Sequence, residues 1–422
     1  MKVTILSHGT RGDVQPFLSL AIALRDAGHE PLLLAPENFS SVISKAKIPF
    51  IGFPGDVQKL MATPEAAAVL EKGDVRAFLS GYAQAFADHF KVMEEQSLNA
   101  SRGANVIVAG IGCFEDAFSI SEKLNIPVCL VSLCPSIPAT GVFPHPFLLT
   151  SNLPFCFMNK LTYWIFEYIH WTSCKDGVSA FRKKIGLPNL KKPILRAIID
   201  REIPIIHSFS PSLSVIPPDW PGKNCIAGFF ESSKELSELT DQSPPEKLIQ
   251  WLREGSKPIF FGFGSMPMKN TEKMIGLIEE VTKALGERAI IATGWSPQAN
   301  QEAAKNIFTI KNINFDWLFP QCSVVVHQGG AGTTHTSLRS GVATLICAFI
   351  ADQFYWGERV KKMGAGTWFR YQELNSAKLL EGLKYCLTPA IQRGAISLSK
   401  KMKNEEDGKA KAIRFIETFA KI

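Results

Sequence analysis

The stretch Val324 to Trp356, VVVHQGGAGTTHTSLRSGVATLICAFIADQFYW, constrains the fold more than any other part of this 422-residue chain. The apolar run Val324 to Val326 ends in His327 and a glycine cluster, and helix-compatible residues follow from Thr333 to Ser340. Strand, glycine loop and helix start, in that order, build a phosphate site. Gly329, Gly330 and Gly332 let the backbone approach an anion, while the helix N-terminus offers unpaired amides and the positive end of its dipole. A second apolar run, Ala343 to Phe349, leads to Asp352 and Gln353. That places a carboxylate and an amide at the carboxyl edge of a neighbouring strand, where open α/β sheets hold ligands. Together they offer the donors and acceptors a sugar needs.

Glycines alone would equally describe a plain connection in a parallel sheet. The combination is more specific. His327-x-Gly-Gly-Ala-Gly-Thr-Thr, followed by Gly341-Val342-x-Thr344 and by Asp352-Gln353, resembles the donor signature of family 1 glycosyltransferases of the GT-B fold. The likeness is to their sterol glucosyltransferase-like and antibiotic glycosyltransferase branch. It implies an α/β fold of two Rossmann-like, doubly wound domains facing a central cleft. It also implies that His327, Gly330, Gly332 and Thr333 hold a diphosphate and that Asp352 and Gln353 hold sugar hydroxyls. The donor would be a nucleotide sugar, UDP-glucose by resemblance, acting as co-substrate with no further cofactor.

Composition narrows the rest. The chain is 46% hydrophobic and 20% charged, with a formal charge of +7 and no long Lys/Arg block, which argues against a nucleic-acid partner. Nine dispersed cysteines without a Cys-x-x-Cys pair indicate neither a disulfide framework nor a zinc site, and they suit a reducing cytoplasmic compartment. The N-terminus MKVTILSHGTRGD turns polar too soon for a secretory signal and reads as a first strand. From Leu124 to Asn159 there is no Asp, Glu, Lys or Arg, but six prolines interrupt the run. A spanning helix would need about 20 apolar residues with internal backbone bonds, so a strand and a long apolar loop are expected.

Apolar runs alternate with helical segments along the chain, as in a parallel sheet covered on both faces. In the first half the runs are Val3 to Leu6, Pro31 to Ala35, Val106 to Ala109, Val128 to Ser132 and Ile203 to His207. Helices are expected at Pro16 to Ala27, Val75 to Leu98 and Leu161 to Lys184. The Pro- and Ser-rich text from Ser210 to Gly222 marks the boundary, giving domains 1–215 and 223–400. The charged stretch Ser232 to Glu246 reads as a surface loop. In the resembled family the final helix, here within 401–422, crosses back to the first domain, with Ile413, Phe415, Ile416 and Phe419 as its contacts.

After the first strand comes Gly9-Thr10-Arg11-Gly12-Asp13-Val14-Gln15-Pro16. Pro16 suits the first turn of a helix, and spacing alone favours Asp13 as a helix cap worth about 1 kcal/mol. The resemblance reverses that preference. Asp13-x-x-Pro16 falls where other branches carry a catalytic histidine, which makes Asp13 the candidate base and places Thr10 and Arg11 at the donor. His8 is an alternative base, while Glu115 and Asp116 at the same sheet edge read as surface helix residues. Ser265, in Phe261-Gly-Phe-Gly-Ser, is assigned to the diphosphate by resemblance.

Two departures bear on the nucleotide. Trp295-Ser-Pro-Gln lies too far ahead of His327 to be the nucleobase cradle of other branches, and Lys311 to Leu318, which lacks the stacking tryptophan, occupies that place. Where many relatives set a glutamate on the ribose, this chain has His335, so UDP and TDP both stay open.

Between Val142 and Trp171 aromatic residues are dense. Such a segment lines a pocket for a lipophilic acceptor, with Phe143, Phe147 and Trp164 as candidates, or leans on a membrane surface. The expected activity is inverting, metal-independent transfer of a hexose to a lipophilic hydroxyl. No Asp-x-Asp motif marks a metal site. A GT-B-fold epimerase and a non-catalytic accessory protein are the alternatives.

Overall fold

Short, fully apolar runs are buried on both faces of a sheet only when helices cover both sides, and in the computed structural model of the protein two such sheets form. The structure describes residues 1–61, 63, 65–66, 69, 75–149, 152–232, 235–237, 244–263, 271–292, 301–304, 306–311 and 313–420. The chain divides into two compact units. The first comprises Met1–Leu60, Val75–Leu239 and Glu405–Ile422, and the second Met61–Asp74 and Thr240–Asn404.

Unit 1 runs through β1 (Lys2–Leu6), α1 (Arg11–Asp26), β2 (Glu30–Pro36), β3 (Phe50–Phe53), α2 (Val75–Ala85) and α3 (Ala87–Ala100). It continues with β4 (Val106–Gly110), α4 (Phe114–Leu124), β5 (Val128–Ser132), α5 (Cys156–Lys184), β6 (Ile205–His207) and β7 (Asn224–Ile226). The seven strands lie in the order β3-β2-β1-β4-β5-β6-β7, with Val3 beside Val106 and Leu6 beside Ala109 in parallel register. The order reverses direction between β1 and β4. One face of this sheet buries Val14, Phe17 and Leu18 of α1 together with Ile413 and Ile416 of the C-terminal helix Gly408–Glu417, with Phe415 and Phe419 half-buried against them. The other face buries α4 and the inner side of α5.

Unit 2 repeats the plan with β8 (Ile259–Gly262), α6 (Thr271–Leu285), β9 (Ala289–Ala292), β10 (Gln301–Ala304) and β11 (Ile307–Ile310). Then follow β12 (Val324–His327), α7 (Ala331–Ser340), β13 (Ala343–Ala348), α8 (Gln353–Lys362) and β14 (Gly366–Arg370). Its order is β10-β11-β9-β8-β12-β13-β14. All pairings are parallel except β10 with β11. Here the reversal falls between β8 and β12, where His327 lies beside Gly262. The α/β, doubly wound expectation holds in both units.

Three local expectations are corrected. The first helix starts at Arg11 rather than Pro16, because Thr10 and Asp13 close a capping box one turn earlier and Pro16 is carried inside the helix. The segment expected as one helix from Val75 to Leu98 is two, broken at Phe86, whose ring is buried edge-on to His8 at 5.1 Å. Within the charged stretch after Ser232, Glu235 pairs with Arg25 at 2.9 Å and Leu236 is fully buried in the core of unit 1.

Candidate functional site

In a doubly wound sheet the loops after the two strands at the reversal point diverge and leave a crevice at the carboxyl edge. In unit 1 those loops carry His8 to Asp13 and Ile111 to Asp116. Asp13 is the third residue of α1, and its Oδ2 accepts the Thr10 N–H at 2.8 Å and the Thr10 hydroxyl at 3.1 Å. Gly9, at φ +146°, makes this possible, since a Cβ there would lie 2.3 Å from Asp13 Oδ2. Burial raises the Asp13 pKa above its ordinary value, while the Thr10 bonds work in the opposite direction. The side chain is therefore a cap and, at the same time, a carboxylate more basic than one in water. Arg11 is exposed, with its Nε on Gln15 Oε1 at 2.9 Å.

His8 is not a charged group at neutral pH. Burial first, and the His89 charge second, lower its pKa to about 4. Its Nδ1 lies 2.5 Å from the Tyr82 hydroxyl, and the ring is enclosed by Phe53, Tyr82, Phe86 and Phe90. Tyr82, Phe86 and Phe90 recur at helical spacing, a stripe whose partner no local pattern could have named.

The reading of Glu115 and Asp116 as surface residues is corrected, since both are half-buried. Burial, and then the charges of Glu94 and Glu115, push Asp116 well above the carboxylate range, and burial lifts Glu94 to about 7. Tyr82 and Cys113 both feel the Asp13 charge. In Asp13, Asp116 and Glu94 alike, burial thus disfavours the charged form and makes each carboxylate a better proton acceptor than one in water. Glu115, His170 and Cys174 place ligand-type atoms within 4.8 Å of one another. The carboxylate meets His170 Nε2 at 3.0 Å and the thiol lies 3.8 Å from Nδ1, on opposite sides of one ring, so the three form a hydrogen-bonded chain.

Nearby, Phe143 and Phe147 are half-buried, and Phe147 packs edge-on against His145 and Phe166 at 5.3 and 5.4 Å. Trp164 is 51% exposed. It borders a cavity of about 250 Å³ lined also by Ile137, Pro138, Tyr163, Leu195 and Ile199.

The corresponding edge of unit 2 is built differently. β12 delivers His327, fully buried, and the Gly329 N–H donates to its Nδ1 at 2.9 Å. That bond fixes the proton on Nε2, a buried N–H with no acceptor among the described residues. Burial lowers the His327 pKa to about 3, so it is a neutral donor rather than a cation. Gly329, at φ +94°, brings the backbone onto β13 and α8, where a Cβ would lie 2.7 Å from Ile346 Cγ2. Helix α7 then begins at Ala331 with Gly330 as N-cap and no side chain among the described residues capping it. A Cβ at Gly332 would meet nothing within 4 Å. Gly330, Gly332 and Thr333 therefore line an uncapped helix terminus, the arrangement that binds anions.

Beyond β13, Asp352 stands at the N-cap of α8 but does not cap it. Its Oδ2 instead accepts the Trp356 indole N–H at 2.9 Å. Trp356 is fully buried, and the His335 ring meets it edge-on at 5.0 Å. His335 donates Nδ1–H to the Ala331 carbonyl at 2.7 Å and is itself fully buried. Gln353 Oε1 accepts the N–H groups of Phe349 and Ile350 at 2.7 and 3.2 Å, leaving its amide nitrogen for a ligand. Ala351, at φ +59°, sits in the left-handed region between them, a conformation uncommon outside glycine.

The structure thus brings Thr10, Arg11 and Asp13 to one edge in unit 1, and His327, Gly330, Gly332, Thr333, Asp352 and Gln353 to one edge in unit 2. Ser265 and Trp295 lie outside the described residues. Trp356, which orients Asp352, was missed; an indole four residues after a carboxylate on a helix was the available signal.

Comparison with known proteins bears on both units. Residues 3–139 match the glycosyltransferase family 28 N-terminal domain, and residues 277–413 match the erythromycin biosynthesis protein CIII-like C-terminal domain. A sterol 3-beta-glucosyltransferase of Arabidopsis thaliana is 30% identical over 98% of this chain and 67% of its own length. The chain spans about two thirds of the length of the plant relatives it matches. Among solved structures, the glycotransferase of kitacinnamycin superposes with a TM-score of 0.71 at 16% identity, covering 100% and 99% of the two chains. The glycosyltransferase VinC, in complex with dTDP, superposes with a TM-score of 0.67 at 14% identity over 99% of each. The fold of both units is that of the GT-B glycosyltransferases.

Proposed function

Because the chain belongs to the family 1 glycosyltransferases of the GT-B fold, in their sterol and antibiotic branch, we propose that it transfers glucose from UDP-glucose to a hydroxyl of a lipophilic acceptor. Unit 2 supplies the donor site and unit 1 the acceptor and the base. The observation that carries this reading is the uncapped start of α7 beside the buried, neutral His327 Nε2–H. Those donors suit a diphosphate that gains charge as its bond to the sugar breaks. No metal is required by this scheme.

In the proposed reaction Asp13 takes the acceptor proton, the acceptor oxygen bonds to the anomeric carbon, and the bond from that carbon to the diphosphate oxygen breaks on the opposite side. Inversion of the anomeric centre follows. Asp352 and the Gln353 amide nitrogen hold the sugar hydroxyls. Phe143 and Trp164 line the acceptor's path in this reading, and a lipid-like acceptor suits a cytoplasmic enzyme working at a membrane. The acceptor class is that of the plant relatives, sterol glucosyltransferases by name; dTDP, bound by VinC, is the competing nucleotide.

Purified protein given radiolabelled UDP-glucose and a panel of sterols, macrolides and polyphenols should form a β-glucoside with a lipophilic member, equally well in EDTA. Donor binding without turnover of any acceptor would leave an accessory role in its place. Conversion of the donor sugar to its epimer would leave an epimerase.

A further inference from the structure

The N-terminal half of α5 is built inside out. Its inner side buries Asn159, Thr162, Tyr163 and Phe166, with Asn159 Nδ2 donating to the Gly141 carbonyl at 2.9 Å and Thr162 Oγ1 accepting the His145 N–H at 2.7 Å. Its outer side presents Phe157, Leu161, Trp164, Ile165 and Tyr168, between 45% and 70% exposed, with Phe155 just ahead at 62%. At helical spacing these five fall within an arc of about 100°. Exposed apolar residues scattered singly need no explanation, but a continuous apolar stripe rich in aromatic rings marks a contact surface.

Charge says what the contact is with. Residues 142–199 contain eight Lys and Arg against Glu167 and Asp176. Lys160, Arg182, Lys184, Lys192 and Arg196 pair with carboxylates, which leaves Lys175, Lys183 and Lys191 as the segment's unneutralised cations among the described residues. Lys175 and Lys183 continue the same side of α5 beyond Tyr168, and both are exposed. No carboxylate among the described residues pairs with either. A second copy of the chain would bring these like charges together across a two-fold contact, and cores of such interfaces are depleted of charge. No helix among the described residues is long and apolar enough to cross a membrane.

We propose that this face of α5 seats peripherally on an anionic lipid bilayer, with the Trp164 and Tyr168 rings at headgroup level and the lysines over anionic headgroups. This deepens the proposed use of a lipophilic acceptor, and Trp164 belongs both to this face and to the cavity beneath it. Vesicle binding is measured with neither donor nor acceptor, so either proposal can fail alone.

The test is cosedimentation of the full chain with vesicles of phosphatidylcholine, alone or mixed with phosphatidylglycerol. Binding to the mixed vesicles should be about tenfold stronger at ~0.1 M salt and should weaken as salt rises. The double variant F157E/Y168E should lose binding to both vesicle types. K175E/K183E should lose the preference for phosphatidylglycerol, and both should unfold at the wild-type temperature because the replaced side chains are exposed. The proposal is overturned if the wild type stays in solution with both vesicle types, or if F157E/Y168E sediments like the wild type. It is equally overturned by a dimer in sedimentation velocity that F157E/Y168E dissolves while no vesicle binding is seen.

Discussion

The two units share one sheet order at their reversal points and differ in how the first turn of the following helix is finished. In unit 1 the helix closes on itself, with Asp13 taking the Thr10 N–H and hydroxyl. In unit 2 the helix after β12 begins at glycine, and no side chain among the described residues caps its terminus. A capped terminus places a negative charge at the positive end of the dipole, and an uncapped one keeps that end for a ligand's charge. One scaffold thus yields a proton acceptor in one place and an anion site in the other. The residue that decides is a carboxylate in the first turn or a glycine before it.

The largest effect should come from removing the charge in unit 1 while keeping the cap. Asp13→Asn retains an oxygen for the Thr10 N–H, so stability should change by less than about 1 kcal/mol. Turnover should fall about 10²- to 10⁴-fold, the usual range for a lost general base, with affinity for UDP unchanged. In the wild type, turnover should rise with pH through a value above the ordinary carboxylate pKa, because burial disfavours the charged, proton-accepting form. Steady-state rates across pH, with calorimetric UDP binding, decide the matter; near-normal turnover in the variant would remove Asp13 from the chemistry.

A second substitution makes unit 2 imitate unit 1. Gly330 has φ −59° and ψ 142°, open to any residue, and a Cβ there would sit 3.5 Å from Gln328 Nε2, an ordinary contact. Gly330→Asp should therefore fold, with melting raised by the few tenths of a kcal/mol that separate Asp from Gly as caps. Its carboxylate would compete with the diphosphate for the same amides. Affinity for UDP should fall by about 10²-fold, corresponding to roughly 3 kcal/mol, and the loss should shrink as salt rises. Unchanged affinity would mean that the anion does not sit at this helix.

The contrast also marks how far the sequence could be read. Central strands such as Val106–Gly110 and Val324–His327 announce themselves because both faces are buried and their runs are apolar up to the last residue. The edge strands Phe50–Phe53, Asn224–Ile226 and Gly366–Arg370 were not read, since one flank needs no partner and the pattern dilutes. At the sheet edges, the positions of His327 at the end of β12, Asp352 at the start of α8 and Asp13 in the first turn of α1 follow the strand, loop and helix pattern of the sequence. The capping box of Thr10 and Asp13 was written in the sequence at [ST]-x-x-[DE] spacing but yielded to Pro16 as a start signal. Glu94 and Tyr82 reach the same crevice from helices far along the chain, a meeting that only tertiary packing decides.

The smallest predicted effect concerns how unit 2 orients a carboxylate that it declines to use as a cap. Asp352 stands at the start of α8, yet its Oδ2 is turned to the Trp356 indole, which His335 backs edge-on. Trp356→Phe keeps an aromatic ring in a fully buried position but removes the N–H, leaving the carboxylate free to swing to its own helix terminus. The loss of one charge-assisted hydrogen bond, about 1.5–3 kcal/mol in the extreme, is partly offset by that new cap. The KM for UDP-glucose should rise about three- to tenfold, on the order of 1 kcal/mol, while affinity for UDP, which lacks the sugar, stays constant. If both affinities fall together, Trp356 supports the fold of the edge rather than the direction of Asp352, and the difference between a spent cap and a reserved carboxylate would not extend to α8.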